Sequence, residues 1–129
     1  MKLFFDNNLS PRLARSLDEL VKPEHRVVHL KELFPPSTPD EVWMSELSRQ
    51  DDWVIVSGDL QIRKNPHEIR AWAAAGPTTF FLKKGWIALP FWDQAWKFAK
   101  VFPALLAAAA TAPRGSAFFI TPNSKVEQA

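Results

Sequence analysis

Three aspartates stand where an apolar run gives way to a loop or a helix begins. Asp6 follows Lys2-Leu3-Phe4-Phe5, Asp40 opens the helical start Thr38-Pro39-Asp40-Glu41, and Asp59 follows Trp53-Val54-Ile55-Val56-Ser57-Gly58. Any one of them alone is an ordinary turn or cap residue. Gathered together, carboxylates repel one another unless a cation or a proton sits among them. Hard divalent ions such as Mg2+ or Mn2+ accept such oxygen ligands, keep several waters and lower the pKa of one of them, which is the chemistry that phosphodiester hydrolysis needs. Asp6, Asp40 and Asp59 are therefore candidate metal ligands and candidate catalytic residues. Glu41 is a further candidate at the metal, although its capping-box spacing from Thr38 already gives it a structural role. Basic residues follow: Arg63, Lys64, His67 and Arg70 come after Asp59, and Lys83 and Lys84 come after the next apolar run. Arg63, Lys64, His67, Lys83 and Lys84 are the candidates to hold the phosphates of a polymer.

The elements that must position these groups are legible in the pattern. Lys2–Phe5 reads as a strand, and Ser10-Pro11 starts a helix whose apolar face carries Leu13, Leu17 and Leu20. Residues 26–30 read as a second strand and 34–37 as a loop. Thr38 is expected to cap a helix that buries Trp43, Met44 and Leu47. Residues 53–56 form a β-branched run suited to a strand covered on both faces. A helix is expected over Pro66–Ala75, a fourth strand over Thr78–Leu82, a long helix from Pro90 to about Ala112 and a fifth strand over Ser116–Ile120. Strands alternating with helices imply an α/β fold, a mainly parallel sheet of four to five strands with helices on both faces. In such a sheet the loops at the carboxyl ends of the strands share one rim, so the three aspartates should meet there. The domain is expected to occupy residues 1–121, with 122–129 as a loose tail.

Composition sets bounds on the reading. A chain of 129 residues that is 47% hydrophobic can bury one core without covalent staples. With no cysteine it has neither a disulfide framework nor a thiolate site, which suits a reducing cytoplasm. The early charge at Asp6 does not suit a signal peptide, and the apolar run near Ala104–Ala110 is too short for a membrane span, so no membrane role is expected. Charge is unevenly placed: residues 1–59 sum to −4 and residues 60–100 to +5, an acidic half joined to a basic one. Of the six tryptophans, 43, 72, 92 and 96 sit at helix positions compatible with packing on the sheet. Trp86, in a loop after Lys83-Lys84-Gly85, is the expected exposed ring.

Taken together, Phe4-Phe5-Asp6-Asn7-Asn8-Leu9-Ser10-Pro11, Asp40-Glu41-Val42-Trp43, Val54-Ile55-Val56-Ser57-Gly58-Asp59 and Arg63-Lys64-Asn65-Pro66-His67 resemble the PIN-like domains of the VapC-type toxin ribonucleases, in their short single-domain form. The resemblance covers roughly the first 85 residues. It implies a three-layer α/β/α fold and a metal-dependent endoribonuclease in which Asp6, Asp40 and Asp59 bind Mg2+ or Mn2+. It also implies the toxin of a type II toxin-antitoxin system, with RNA as substrate and a co-expressed antitoxin protein as partner. The stretch from Lys83 to Trp96, with Trp86, Phe91 and Trp92, is the expected surface for that antitoxin or for a homodimer. One departure is Gln61, where many PIN-like relatives carry another aspartate; it leaves room for a non-catalytic RNA- or protein-binding module. A phosphoacceptor switch of the receiver type is a third alternative, and the isolation of Asp6 and the basic segment after Asp59 argue against it.

Overall fold

The first helix begins as its sequence dictates. The Ser10 hydroxyl accepts the Arg12 N–H at 3.1 Å, Pro11 occupies the first turn, and Leu13, Ala14 and Leu17 are buried on one face. The computed structural model describes residues 1–50, 52–58 and 76–129. In chain order these contain β1 (Lys2–Phe5), α1 (Pro11–Val21), β2 (Arg26–His29), α2 (Leu30–Leu33), α3 (Asp40–Ser48), β3 (Trp53–Ser57), β4 (Thr78–Leu82), α4 (Phe91–Thr111), β5 (Ala117–Ile120) and β6 (Val126–Gln128). The strands lie in the order β2-β1-β3-β4-β5-β6, all neighbours parallel except β5 and β6.

The pleat divides the side chains into two cores. Leu3 and Phe5 of β1, Val54 and Val56 of β3, and Phe80 and Leu82 of β4 meet Leu13 and Leu17 of α1 and Phe98, Val101, Phe102 and Leu105 of α4. On the opposite face Phe4 and Ile55 meet Leu30 of α2 and Trp43, Met44 and Leu47 of α3. Helices therefore cover both faces of a mainly parallel sheet, the α/β/α arrangement of a PIN-like fold. The Asp18 carboxylate fastens α1 to β2: it accepts from Arg26 Nε at 2.8 Å, Arg26 Nη2 at 3.1 Å and the Val27 N–H at 2.8 Å. The Arg26 hydrogen bonds are the main reason its carboxyl is held below the usual range.

Several expectations change. The sheet has six strands among the described residues, and Val126–Gln128, expected to be loose tail, pair antiparallel with β5 as its edge. A turn at Thr121–Lys125, closed by the Thr121 N–H to the Lys125 carbonyl at 2.8 Å, makes that return possible. Three residues with one apolar side chain carry too little pattern to announce a strand. Pro39 rather than Thr38 is the residue before α3, and the Thr38 hydroxyl instead donates to the Pro35 carbonyl at 2.7 Å, so no capping box forms. The expected helix at 66–75 and Trp72 lie outside the described residues. Among the described residues no helix is long and apolar enough to cross a membrane.

Trp43 is buried as expected, but three other tryptophans reverse their expected roles. Trp86 is fully buried; its ring centroid lies 4.7 Å from that of Phe98 and its indole N–H donates to the Ile120 carbonyl at 3.0 Å. Gly85, at φ 107°, turns the chain so that the ring enters the core. Trp92 and Trp96, expected on the sheet, are 78% and 52% exposed. The buried face of α4 is instead set by Phe98, Val101, Phe102 and Leu105. Trp86→Ala is expected to cost about 3–5 kcal/mol, whereas Trp92→Ala is expected to stay within about 0.5 kcal/mol; urea unfolding of the two variants measures the contrast.

Candidate active site

The direction of chain progression reverses between β1 and β3, because β1 leads to β2 on one side while β3 leads towards β4 on the other. At such a point the loops leave in opposite directions and open a crevice at the carboxyl ends of the strands. The parallel register sets Phe5 against Val56, so the next residues, Asp6 and Ser57, arrive side by side across the crevice. The Asp6 N–H continues the ladder to the Val56 carbonyl at 3.2 Å.

The Asp6 side chain is 4% exposed and accepts three hydrogen bonds. Ser57 Oγ donates to Oδ2 at 2.6 Å; the Asn8 and Gly58 N–H groups donate to Oδ1 at 3.1 and 3.3 Å. Burial pushes its pKa up to about 6; the three hydrogen bonds oppose that rise and the charge of Asp40 adds to it. Gly58 has no room for a side chain, since a Cβ there would lie 2.9 Å from Ile87 Cδ1 and 3.0 Å from Asn8 Cβ. The loop after β4 thus closes directly on the Asp6 crevice.

A buried histidine supports the loop between Asp6 and α1. His29 Nε2 donates to the Leu9 carbonyl at 2.7 Å, and Nδ1 accepts the Lys31 N–H at 3.1 Å, which fixes the tautomer and caps α2. Burial lowers its pKa, so it is a neutral structural group. The Asn7 amide donates to the Pro36 carbonyl at 2.6 Å, tying the same loop to the segment that precedes α3.

Asp40 is the first residue of α3, exposed, with Oδ1 accepting from Trp43 Nε1 at 3.1 Å. Its negative charge is felt at Asp6. Glu41 follows it, exposed in the same first turn. Asp59, Arg63, Lys64 and His67 lie outside the described residues, so two of the three expected carboxylates can be placed. Among the described residues no group of three or more metal-ligating side chains occurs. Lys83 pairs with Glu127 at 2.7 Å and stands over the Phe119 ring, while Lys84 is exposed. Sequence reasoning did not single out Ser57, whose hydroxyl makes the shortest contact to Asp6; its signal was a polar residue ending an otherwise apolar strand beside a glycine.

The family model described as PIN like domain matches residues 1–84, which run from β1 through β4 and contain Asp6 with its partners Asn8, Ser57 and Gly58, while Ile87 lies just beyond them. The chain belongs to the PIN-like domain family. No curated protein and no solved structure matches it. The PIN-like fold is of nuclease type, and its C-terminal remainder here comprises α4, β5 and β6.

The donor chemistry fits a hard divalent cation. A carboxylate offers about four acceptor positions, and Asp6 commits three of them to Ser57, Asn8 and Gly58. A positive charge near both carboxylates would relieve the repulsion that Asp40 exerts on Asp6. Without metal, Asp6 makes folding less favourable as pH rises, because the native state holds its proton more tightly than the unfolded state does. The loss should develop between about pH 4 and the native value of about 6 and reach about 3 kcal/mol at most. His29 acts oppositely, costing stability as pH falls below its unfolded value. Asp6→Asn should therefore stabilise the metal-free protein at pH 7 and change little at pH 4, read from denaturant unfolding in chelator at both pH values.

Proposed function

We propose that this PIN-like domain is a metal-dependent endoribonuclease whose centre is the Asp6 crevice, with Mg2+ or Mn2+ held by Asp6, Asp40 and Asp59 and with Glu41 orienting that set. The observation that carries the reading is the Asp6 carboxyl, almost fully buried at the switch point and kept in one orientation by Ser57, Asn8 and Gly58. Burying a carboxylate is costly, and nothing in the packing of β1 requires an acid there. When bound, the cation would supply a water of lowered pKa and offset the charge that develops on the phosphate.

The chain's own residues divide the remaining work. Ser57, Asn8 and Gly58 fix the Asp6 oxygens, Gly58 keeps the crevice narrow by its missing side chain, and Arg63, Lys64, His67, Lys83 and Lys84 hold RNA phosphates. Lys83 would have to leave Glu127 to do so, so Lys84 is the stronger contact of that pair. By its resemblance to VapC-type proteins the enzyme acts as the toxin of a toxin-antitoxin pair in the cytoplasm, restrained by an antitoxin protein and able to form a homodimer.

Gln61 supports a second reading, a PIN-like module that binds RNA without cutting it. Incubation with mixed cellular RNA separates the two. The enzyme should cleave in Mg2+ or Mn2+, stop in chelator, and lose at least a hundredfold in rate as Asp6→Asn; RNA retained intact under all conditions would support the binding module. Replacing Arg63 and Lys64 together by alanine should weaken RNA binding and reduce the slope of log K against log salt by about 0.7 for each lost contact. Unchanged affinity and slope would remove those two residues from the RNA track.

A further inference from the structure

Trp92 and Trp96 are one turn apart on α4 and both are largely exposed, at 78% and 52%. Neither ring is loose. Trp92 packs edge-on against Phe91 with centroids 5.6 Å apart, and Trp96 donates its indole N–H to Asp93 Oδ1 at 3.3 Å. Phe91 is itself anchored by the Arg12 guanidinium, 4.5 Å from its ring centroid. Two large rings held in place yet largely exposed add little to folding, and such an aromatic patch marks a binding surface.

Charge and location narrow that ligand. Lys100 continues the same stripe one turn beyond Trp96, and Lys97 lies 5.6 Å from the Trp96 centroid. Residues 83–100 contain four lysines and one acid, Asp93, which is occupied by Trp96. Protein interfaces are depleted in lysine at their centres, whereas single-stranded nucleic acid sites combine aromatic faces with cations along the backbone. The helix starts at the rim that carries Asp6: its first turn meets Arg12 of α1, and Ile87 in the loop before it closes on Gly58.

We infer that Trp92 and Trp96 are a stacking platform for two bases of a single-stranded RNA, with Lys84 and Lys100 taking its phosphates, and that the platform continues the Asp6 crevice along α4. Both tryptophans and Lys100 lie beyond the residues matched by the family model, and Lys84 is the last residue within them. It rests on the ribonuclease reading for its substrate, but its test does not require cleavage.

The experiment measures binding of a fluorescently labelled single-stranded oligoribonucleotide to the full chain in chelator, by anisotropy and by quenching of tryptophan emission. Trp92→Ala and Trp96→Ala should each weaken binding about tenfold, since stacking on one ring is worth that order, and Trp92→Phe should restore most of the loss. The salt slope should stay unchanged in the tryptophan variants and fall by about 0.7 per residue in Lys84→Ala and Lys100→Ala. Tryptophan-dependent binding without cleavage in any metal would reject the nuclease and keep the platform. Cleavage with affinity unchanged by the alanine pair would reject the platform and keep the nuclease. A dimer seen by light scattering that the alanine pair dissociates, with RNA affinity unaltered, would also overturn the platform and make the face a contact between copies.

Discussion

The pairing of β1 with β3 brings a buried carboxyl and a hydroxyl together, and much of the architecture serves that contact. Register places Asp6 beside Ser57, and the ladder bond from the Asp6 N–H to Val56 extends the sheet one residue past the last β1 partner. The short Ser57 bond cannot remove the desolvation penalty, since the Asp6 pKa still rises to about 6. Three further features hold the geometry: a glycine too confined to carry a Cβ, a backbone turn at Asn8, and a neutral histidine bonded to Leu9. Each is intelligible as support for a preorganised acid.

The two ends of the chain divide the labour unequally. Residues 1–84 carry the PIN-like match and the groups that hold Asp6. The later α4 supplies one wall of the larger core through Phe98, Val101, Phe102 and Leu105, and Trp86 locks the approach to that helix by its bond to Ile120. The same helix turns its tryptophans outward, so one element both completes the core and faces solvent with aromatic rings. On the opposite sheet face, Phe4 and Trp43, with ring centroids 4.9 Å apart, fasten α3 and with it Asp40.

The first five strands, the first helix and the position of Asp6 are readable because each rests on local signals: apolar runs ending in a polar residue, a serine-proline helix start, a β-branched segment. The long helix was readable too, but not which of its faces is buried. Apolar spacing could not separate Trp92 and Trp96 from Phe98 and Phe102, because bulky rings occur on both sides of α4 and only the sheet decides between them. Trp86 misled for the opposite reason: a loop residue beside lysines looked solvent-facing, while Gly85 reversed the chain into the core. Ser57 was hidden because its importance comes from register across 51 residues of sequence. The C-terminal strand carried almost no pattern of its own and depends on the edge of β5.

The proposed metal site requires the Asp6 carboxyl to exchange a proton for a divalent cation. Calorimetric titration with Mn2+ at pH 6 in buffers of different ionisation enthalpy counts the protons released. About half a proton should leave Asp6 per bound ion at that pH, falling towards zero by pH 8, with binding sharply weakened in Asp6→Asn. Equal Mn2+ affinity in the wild-type and Asp6→Asn proteins, with no proton release in either, would contradict it.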